Sequence, residues 1–127
     1  MAFVTDTANK ILDKILRNTD FTPATTIYTS LHTADPGNTG TAECTGGSYA
    51  RLSTTFSAAS GGATANTADL NFTGMPACTV THVGLWSAVS AGTFWWGGAL
   101  TASKTVGAGD TLKIAAGDLD VVLTVNA

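Results

Sequence analysis

A chain of 127 residues with 12% charged side chains and a formal net charge of −3 is sized for one folded domain and lacks the clustered cations a nucleic-acid groove needs. Hydrophobic residues reach 44% and there are 14 glycines, so Thr, Ser, Asn, Gly and backbone must cover the surface, which suits short strands and turns better than long helices. No apolar run approaches the ~18 residues of a membrane span, and charges interrupt the N-terminal stretch as they would not in a secretory signal, so a soluble protein made in the cytoplasm is expected.

The first predicted element is a helix over about 6–18. Asp6 supplies a cap, and Ala8, Ile11, Leu12, Ile15 and Leu16 recur on one face, with Lys10, Asp13, Lys14 and Arg17 around much of the rest. Asn18 and the segment up to Pro23 end it. The apolar stripe has two readings. Packing on the domain's own sheet is the general behaviour of such stripes; docking onto a neighbouring subunit is the sharper alternative.

Strands follow from about residue 25. In "TTIYTSLHT" (25–33), Ile27, Thr29 and Leu31 alternate with Tyr28, Ser30 and His32. "ADPGNTGTAECTGGS" is dense in turn residues and long enough to be an interaction loop. "YARLSTTFSA" and "ATANTADLNFTG" are two further strand runs, the latter ending at Met75-Pro76. "CTVTHVGLWS", "GTFWWGGALT", "DTLKIAA" and "DLDVVLTV" complete the set, separated by the turn material "AVSAG", "ASKTVGAG" and "AGD". Six or seven short strands after one helix predict a mainly β protein: one antiparallel β-sandwich or jelly-roll-like domain over residues 1–127.

Three tryptophans fall between Val80 and Lys104. Regular alternation puts Val80, His82, Gly84 and Trp86 on one face, and Thr79, Thr81, Val83 and Leu85 on the other. It also sends Trp95 and Trp96 to opposite faces, so both cannot enter one core layer. One fills the interior and the other lies under the helix or at a subunit contact. A sugar-stacking platform is a weaker reading, because the neighbours are Gly, Ala and Thr rather than acids or amides.

Chemistry is sparse. Cys44 and Cys78 have no ligand spacing and are expected as reduced, separate thiols. His32 and His82 each sit in a strand, and no Cys/His spacing announces a metal. Asp35 in "HTADPGN" fits turn chemistry better than a catalytic pairing with His32, and Glu43 has no obvious partner for acid–base work. Asp110, Asp118 and Asp120 lack calcium-loop spacing and are expected to cap turns. No phosphate loop or nucleophile elbow is present. No enzyme and no cofactor are expected.

Taken in order, "ANKILDKILRNTDFTPATTIYTSLHTADPG", "GGSYAR", "NTADLNFTGMPACTVTHVGLWSA" and "GALTASKTVGAGDTLKIAAGDLDVVLTV" span nearly the whole chain. Together they resemble the small virion proteins of tailed bacteriophages, a group labelled tail fibre, minor tail or head-decoration proteins. The resemblance implies a non-enzymatic structural protein on the virion exterior, made in the host cytoplasm, with other virion proteins as partners and no catalytic residue to transfer. Cys44, Cys78 and the second Trp of "FWWGG" depart from the pattern.

A compact domain of this length is about 30 Å across and is not by itself a long fibre. Decoration of the major capsid lattice is therefore the first expectation, as a homo-oligomer, with a trimer at local threefold positions the form that suits it. A tail or baseplate accessory for host attachment is the alternative, and a carbohydrate-binding module using Trp86, Trp95 or Trp96 the distant one. The expected interface is the helix (Lys10, Ile11, Leu12, Lys14, Ile15, Leu16 and Arg17), the long loop (Asp35, Pro36 and Glu43), and Trp95 with Trp96.

Overall fold

The computed structural model describes residues 2–124 and Asn126. Among these, the elements run β1 (Ala2–Phe3), α1 (Thr5–Arg17), β2 (Ile27–His32), β3 (Leu52–Thr54), β4 (Ala63–Ala65), β5 (Leu70–Phe72), β6 (Cys78–Trp86), β7 (Phe94–Val106), β8 (Leu112–Ile114) and β9 (Asp120–Val122). A five-stranded antiparallel sheet in the order β1-β7-β6-β2-β3 packs against two antiparallel pairs, β5-β8 and β4-β9. The architecture is the mainly β, sandwich-like one expected.

The alternation of side chains explains the layers. In β5, Leu70 and Phe72 are buried and Asn71 is exposed; in β8, Leu112 and Ile114 are buried and Lys113 is exposed. The two strands pair Asn71 with Lys113, so their apolar residues share one face. That face meets Leu31, Val83, Leu85 and Trp96 of the large sheet, with Leu119 and Val121 closing the core. On the sheet's other face a smaller cluster joins Val4, Trp86 and Phe94, with Tyr28 packed against it.

Element boundaries differ from expectation where the local signal was weak. β1, two residues long, was not anticipated; it pairs Phe3 with Trp96 on the edge of β7. The run 63–74 divides into β4 and β5. The final strand, expected over 118–125, forms as Asp120–Val122, and residue 125 lies outside the described residues. β7 continues through "ASKTV" to Val106, where turn material was expected. Residues 101–105 are exposed on both faces, so the period-two pattern that betrays a half-buried strand is missing there.

The ladder between β6 and β7 slips twice, and both slips overturn expectations drawn from regular alternation. Phe94 pairs with Trp86 and Trp96 with Leu85, leaving Trp95 as the extra residue of a β-bulge. The bulge turns Trp95 toward the same core as Trp96, against which it is half-buried. The two indoles therefore share one side of the sheet instead of taking opposite sides. Further along, Val80 pairs with Lys104 and His82 with Ala99, so residues 100–103 stand opposite Thr81 alone. Across this irregularity Val80 joins Val83 and Leu85 in one core, against the simple alternation that separated them.

Candidate docking surface

Helix α1 is built differently from its expected start. Val4 occupies the N-cap position without a side-chain cap, and Asp6 lies inside the first turn, where its charge favours the helix N-terminus. The open Thr5 N–H instead donates to Asn38 Oδ1 at 3.1 Å, which ties the helix start to the long loop. Asn18, with φ 50°, closes the C-terminus in the left-handed conformation.

The helix rests on the body through Thr7, which is buried, and Ile11, which is half-buried. Leu12, Ile15 and Leu16 are 55%, 73% and 74% exposed. The reading in which the stripe packs on the domain's own sheet therefore holds only for its inner edge. The rest forms an apolar ridge on the outside of the protein.

Beside the ridge lies an apolar groove of about 360 Å³, lined by Phe3, Ile11, Phe21, Leu85, Trp95 and Val121 among others. Ile11, on the inner edge of the same helical stripe, lines the groove, so the ridge adjoins it. Phe21 and Trp95 form one wall, with ring centroids 5.7 Å apart. The Lys10 ammonium sits 5.8 Å from the Phe21 centroid and 5.9 Å from that of Trp95. Two polar atoms at the groove, Thr7 Oγ1 and Trp95 Nε1, are buried without a hydrogen-bond partner among the described residues. Such orphaned groups are rare in native structures.

The helix cations are already engaged. Lys10 pairs with Asp6 at 2.8 Å, Arg17 with Asp13 at 3.5 Å and Lys14 with Asp20 at 3.6 Å. Exposed pairs of this kind contribute about 0–1 kcal/mol each. Their main effect is to leave the polar flank near neutral, so apolar contact must dominate any docking here.

The loop residues fare unevenly. Asp35 is exposed and its Oδ1 accepts the Gly37 N–H at 2.9 Å, the turn chemistry expected of it. Pro36 and Trp96 are fully buried in the chain's own interior and have no surface to give a partner. Glu43 does have partners: Arg51 grips both its oxygens at 2.9 Å, and the Tyr49 hydroxyl donates to Oε2 at 2.8 Å. Arg51 also donates to the carbonyls of Ala88 and Ala91 and stacks on Trp86, 3.7 Å from the ring centroid. The long loop is thus stitched to the sheet, and it presents the segment around Asp35 and residues 45–48 outward.

His32 lies fully buried between Ser30, 2.7 Å from its Nε2, and the Thr41 carbonyl, 2.7 Å from its Nδ1. A carbonyl only accepts, so Nδ1 carries the proton and Nε2 accepts from the Ser30 hydroxyl, which in turn accepts the Trp86 indole N–H at 2.8 Å. The chain of bonds locks β2 to β6 and has no opening to solvent. Burial holds the His32 pKa below its ordinary value. For Glu43, burial pushes the carboxyl up, but its bonds to Arg51 and Tyr49 outweigh this and bring it below the usual range.

Both shifts favour the deprotonated form in the folded state, so the unfolded chain binds more protons in acid. Stability is expected to fall first as the pH drops below 6.5, through His32, and again below 4.5, through Glu43. Thermal unfolding at stepped pH values checks this, with His32→Gln removing the first step and keeping the second.

A second cleft, about 510 Å³, lies where β7 carries its extra residues, with Lys104, Lys113, Asp118 and Asp120 among its lining. Lys113 is paired with Asp69 at 3.2 Å, and the Asp110 carboxylate accepts the Gly107 N–H at 2.7 Å in a turn. Among the described residues no group of three or more His, Cys, Asp or Glu is placed to hold a metal, and no helix is long and apolar enough to cross a membrane.

Several groove residues escaped the sequence reading. Phe3, Phe21 and Pro23 come from segments without strand or helix periodicity, where the local signal was an aromatic near a proline in "DFTP", and Thr7 lies in the predicted helix but is polar and off its apolar stripe. Cys44 and Cys78, expected apart, have their sulfurs 3.4 Å from each other. Residues 2–122 match the family described as Podophage GP4 fiber I protein gp80. No curated protein matches the chain.

Proposed function

The chain belongs to the Podophage GP4 fiber I protein gp80 family, and from that premise we propose that it is a non-enzymatic structural part of a tailed phage's fibre apparatus. It stands on the virion exterior and is held there by other virion proteins. The family description supports the tail alternative over capsid decoration. A domain about 30 Å across contributes one segment or one attachment piece to such a fibre, not its whole length.

The observation that supports this reading best is the ridge of Leu12, Ile15 and Leu16, exposed on a helix that stands outside the main core and adjoining an apolar groove. Contiguous apolar surface on a soluble protein marks a contact site. The buried Ser30 and His32 pair, sealed from solvent, fits structural duty rather than catalysis.

The test is cryo-electron microscopy of the particle that carries this chain, compared with a particle lacking it. Difference density on the tail or its fibres is expected. Regular difference density across the capsid lattice would replace the fibre reading with decoration.

A further inference from the structure

We propose that Cys44 and Cys78 are a latent disulfide, open in the reducing cytoplasm and closed by oxidation once the protein meets an aerated medium. The inference goes beyond the fibre reading and takes from it only the passage from cytoplasm to medium; the pairing itself rests on two thiols and their surroundings, and is tested on the purified chain.

The sulfurs are 3.4 Å apart and the residues 34 positions apart in sequence. A disulfide needs about 2.05 Å, so closure asks for a shift of about 1.3 Å shared between two side chains. Both backbones are held by hydrogen bonds. The Cys44 N–H donates to the Leu31 carbonyl at 2.8 Å, and Cys78 pairs with Val106 at the start of β6. The approach is thus fixed by the sheet, not by a chance loop conformation.

The surroundings make closure slow and decide which sulfur starts it. Cys44 is 4% exposed and sits in the main core, where burial and the neighbouring Cys78 push its thiol up to about 12. A thiol with so little thiolate reacts slowly. Cys78 is half-buried and is the sulfur an oxidant reaches first. Cytoplasmic reductants keep such pairs as thiols, whereas extracellular conditions do not.

The chemistry balances with dioxygen as oxidant. The two S–H bonds break, one S–S bond forms, and the two electrons and two protons pass to dioxygen to give hydrogen peroxide. The product pins the long loop, just past Glu43, to the first residue of β6. It constrains the unfolded chain and leaves the folded one almost unchanged.

The experiment uses the full chain purified under reductant, then moved to aerated buffer or to oxidised glutathione. Thiol titration with Ellman's reagent, intact mass, non-reducing electrophoresis and thermal unfolding are followed together. The expected result is loss of both thiols, a mass lower by two hydrogens, a monomeric band and a Tm higher by about 10 °C, reversed by reductant. Cys44→Ser and Cys78→Ser should each keep one thiol and show no Tm response to oxidation. Persistence of both thiols overturns the proposal. So does their loss only into covalent dimers or a stable glutathione adduct, or a Tm rise that a single-cysteine variant reproduces.

Discussion

Leu16→Asp is expected to lower incorporation of the protein into particles at least tenfold while leaving the isolated chain folded. Leu16 is 74% exposed, so the substitution removes little of the domain's own burial, and exposed changes of this kind stay within about 0.5 kcal/mol of stability. A partner covering the ridge would instead have to desolvate a carboxylate, at a cost of several kcal/mol, and each 1.4 kcal/mol is about a factor of ten in binding. Leu12→Asp, on the same ridge, should act alike. Complementing a deletion phage with each variant and quantifying the chain in purified particles reads the effect, and thermal unfolding confirms the fold. Wild-type incorporation by a folded variant would remove the ridge from the attachment surface.

Trp96→Ala is expected to be the most damaging substitution to stability. Trp96 is 1% exposed, pairs with Leu85 on one side and Phe3 on the other, and lies in the main core. Truncating a buried indole costs about 3–5 kcal/mol, because the surrounding layer cannot collapse into the space. That is a large part of the ~5–15 kcal/mol available to a domain. Trp95→Ala should cost much less, about 1–2 kcal/mol, because Trp95 is half-buried and its Nε1 has no partner to lose among the described residues. Urea unfolding of the two variants side by side checks the order. Equal losses would mean that the groove wall is as firmly packed as the core.

The contrast between neighbouring tryptophans also shows what the amino-acid order could reveal. The helix was legible because Ile11, Leu12, Ile15 and Leu16 recur at its period, and the structure places it at Thr5–Arg17. β2 was legible from the alternation in "TTIYTSLHT", and the sandwich-like class from the density of turns. These are local signals. The partition of Trp95 and Trp96 was not local, since a bulge is a relation between two strands and alternation along one strand assumes that none occurs.

Pairings made by tertiary approach were invisible for the same reason. Nothing around Glu43 announced that Arg51 would hold it with two hydrogen bonds, and nothing around Cys44 announced Cys78. The groove gathers residues from β1, α1, the segment before β2, the large sheet and the β4-β9 pair. Each single strand, helix or segment contributes one or two side chains, too few to leave a pattern in any one stretch. The helix stripe was visible, but which of its residues face outward depends on how the helix sits on Thr7 and Ile11.

The extra residues of β7 have a consequence for how such a protein diversifies. One surplus residue, Trp95, helps to wall the apolar groove, and the surplus run at 100–103 supplies much of the polar cleft at the other end of the strand. In both places the neighbouring strand keeps its hydrogen bonds on either side. New recognition surface can therefore arise by lengthening one strand through small insertions, without redesigning the interior that keeps the chain folded. A lineage under pressure to change its attachments would be expected to vary in length at these two positions sooner than in composition at the core.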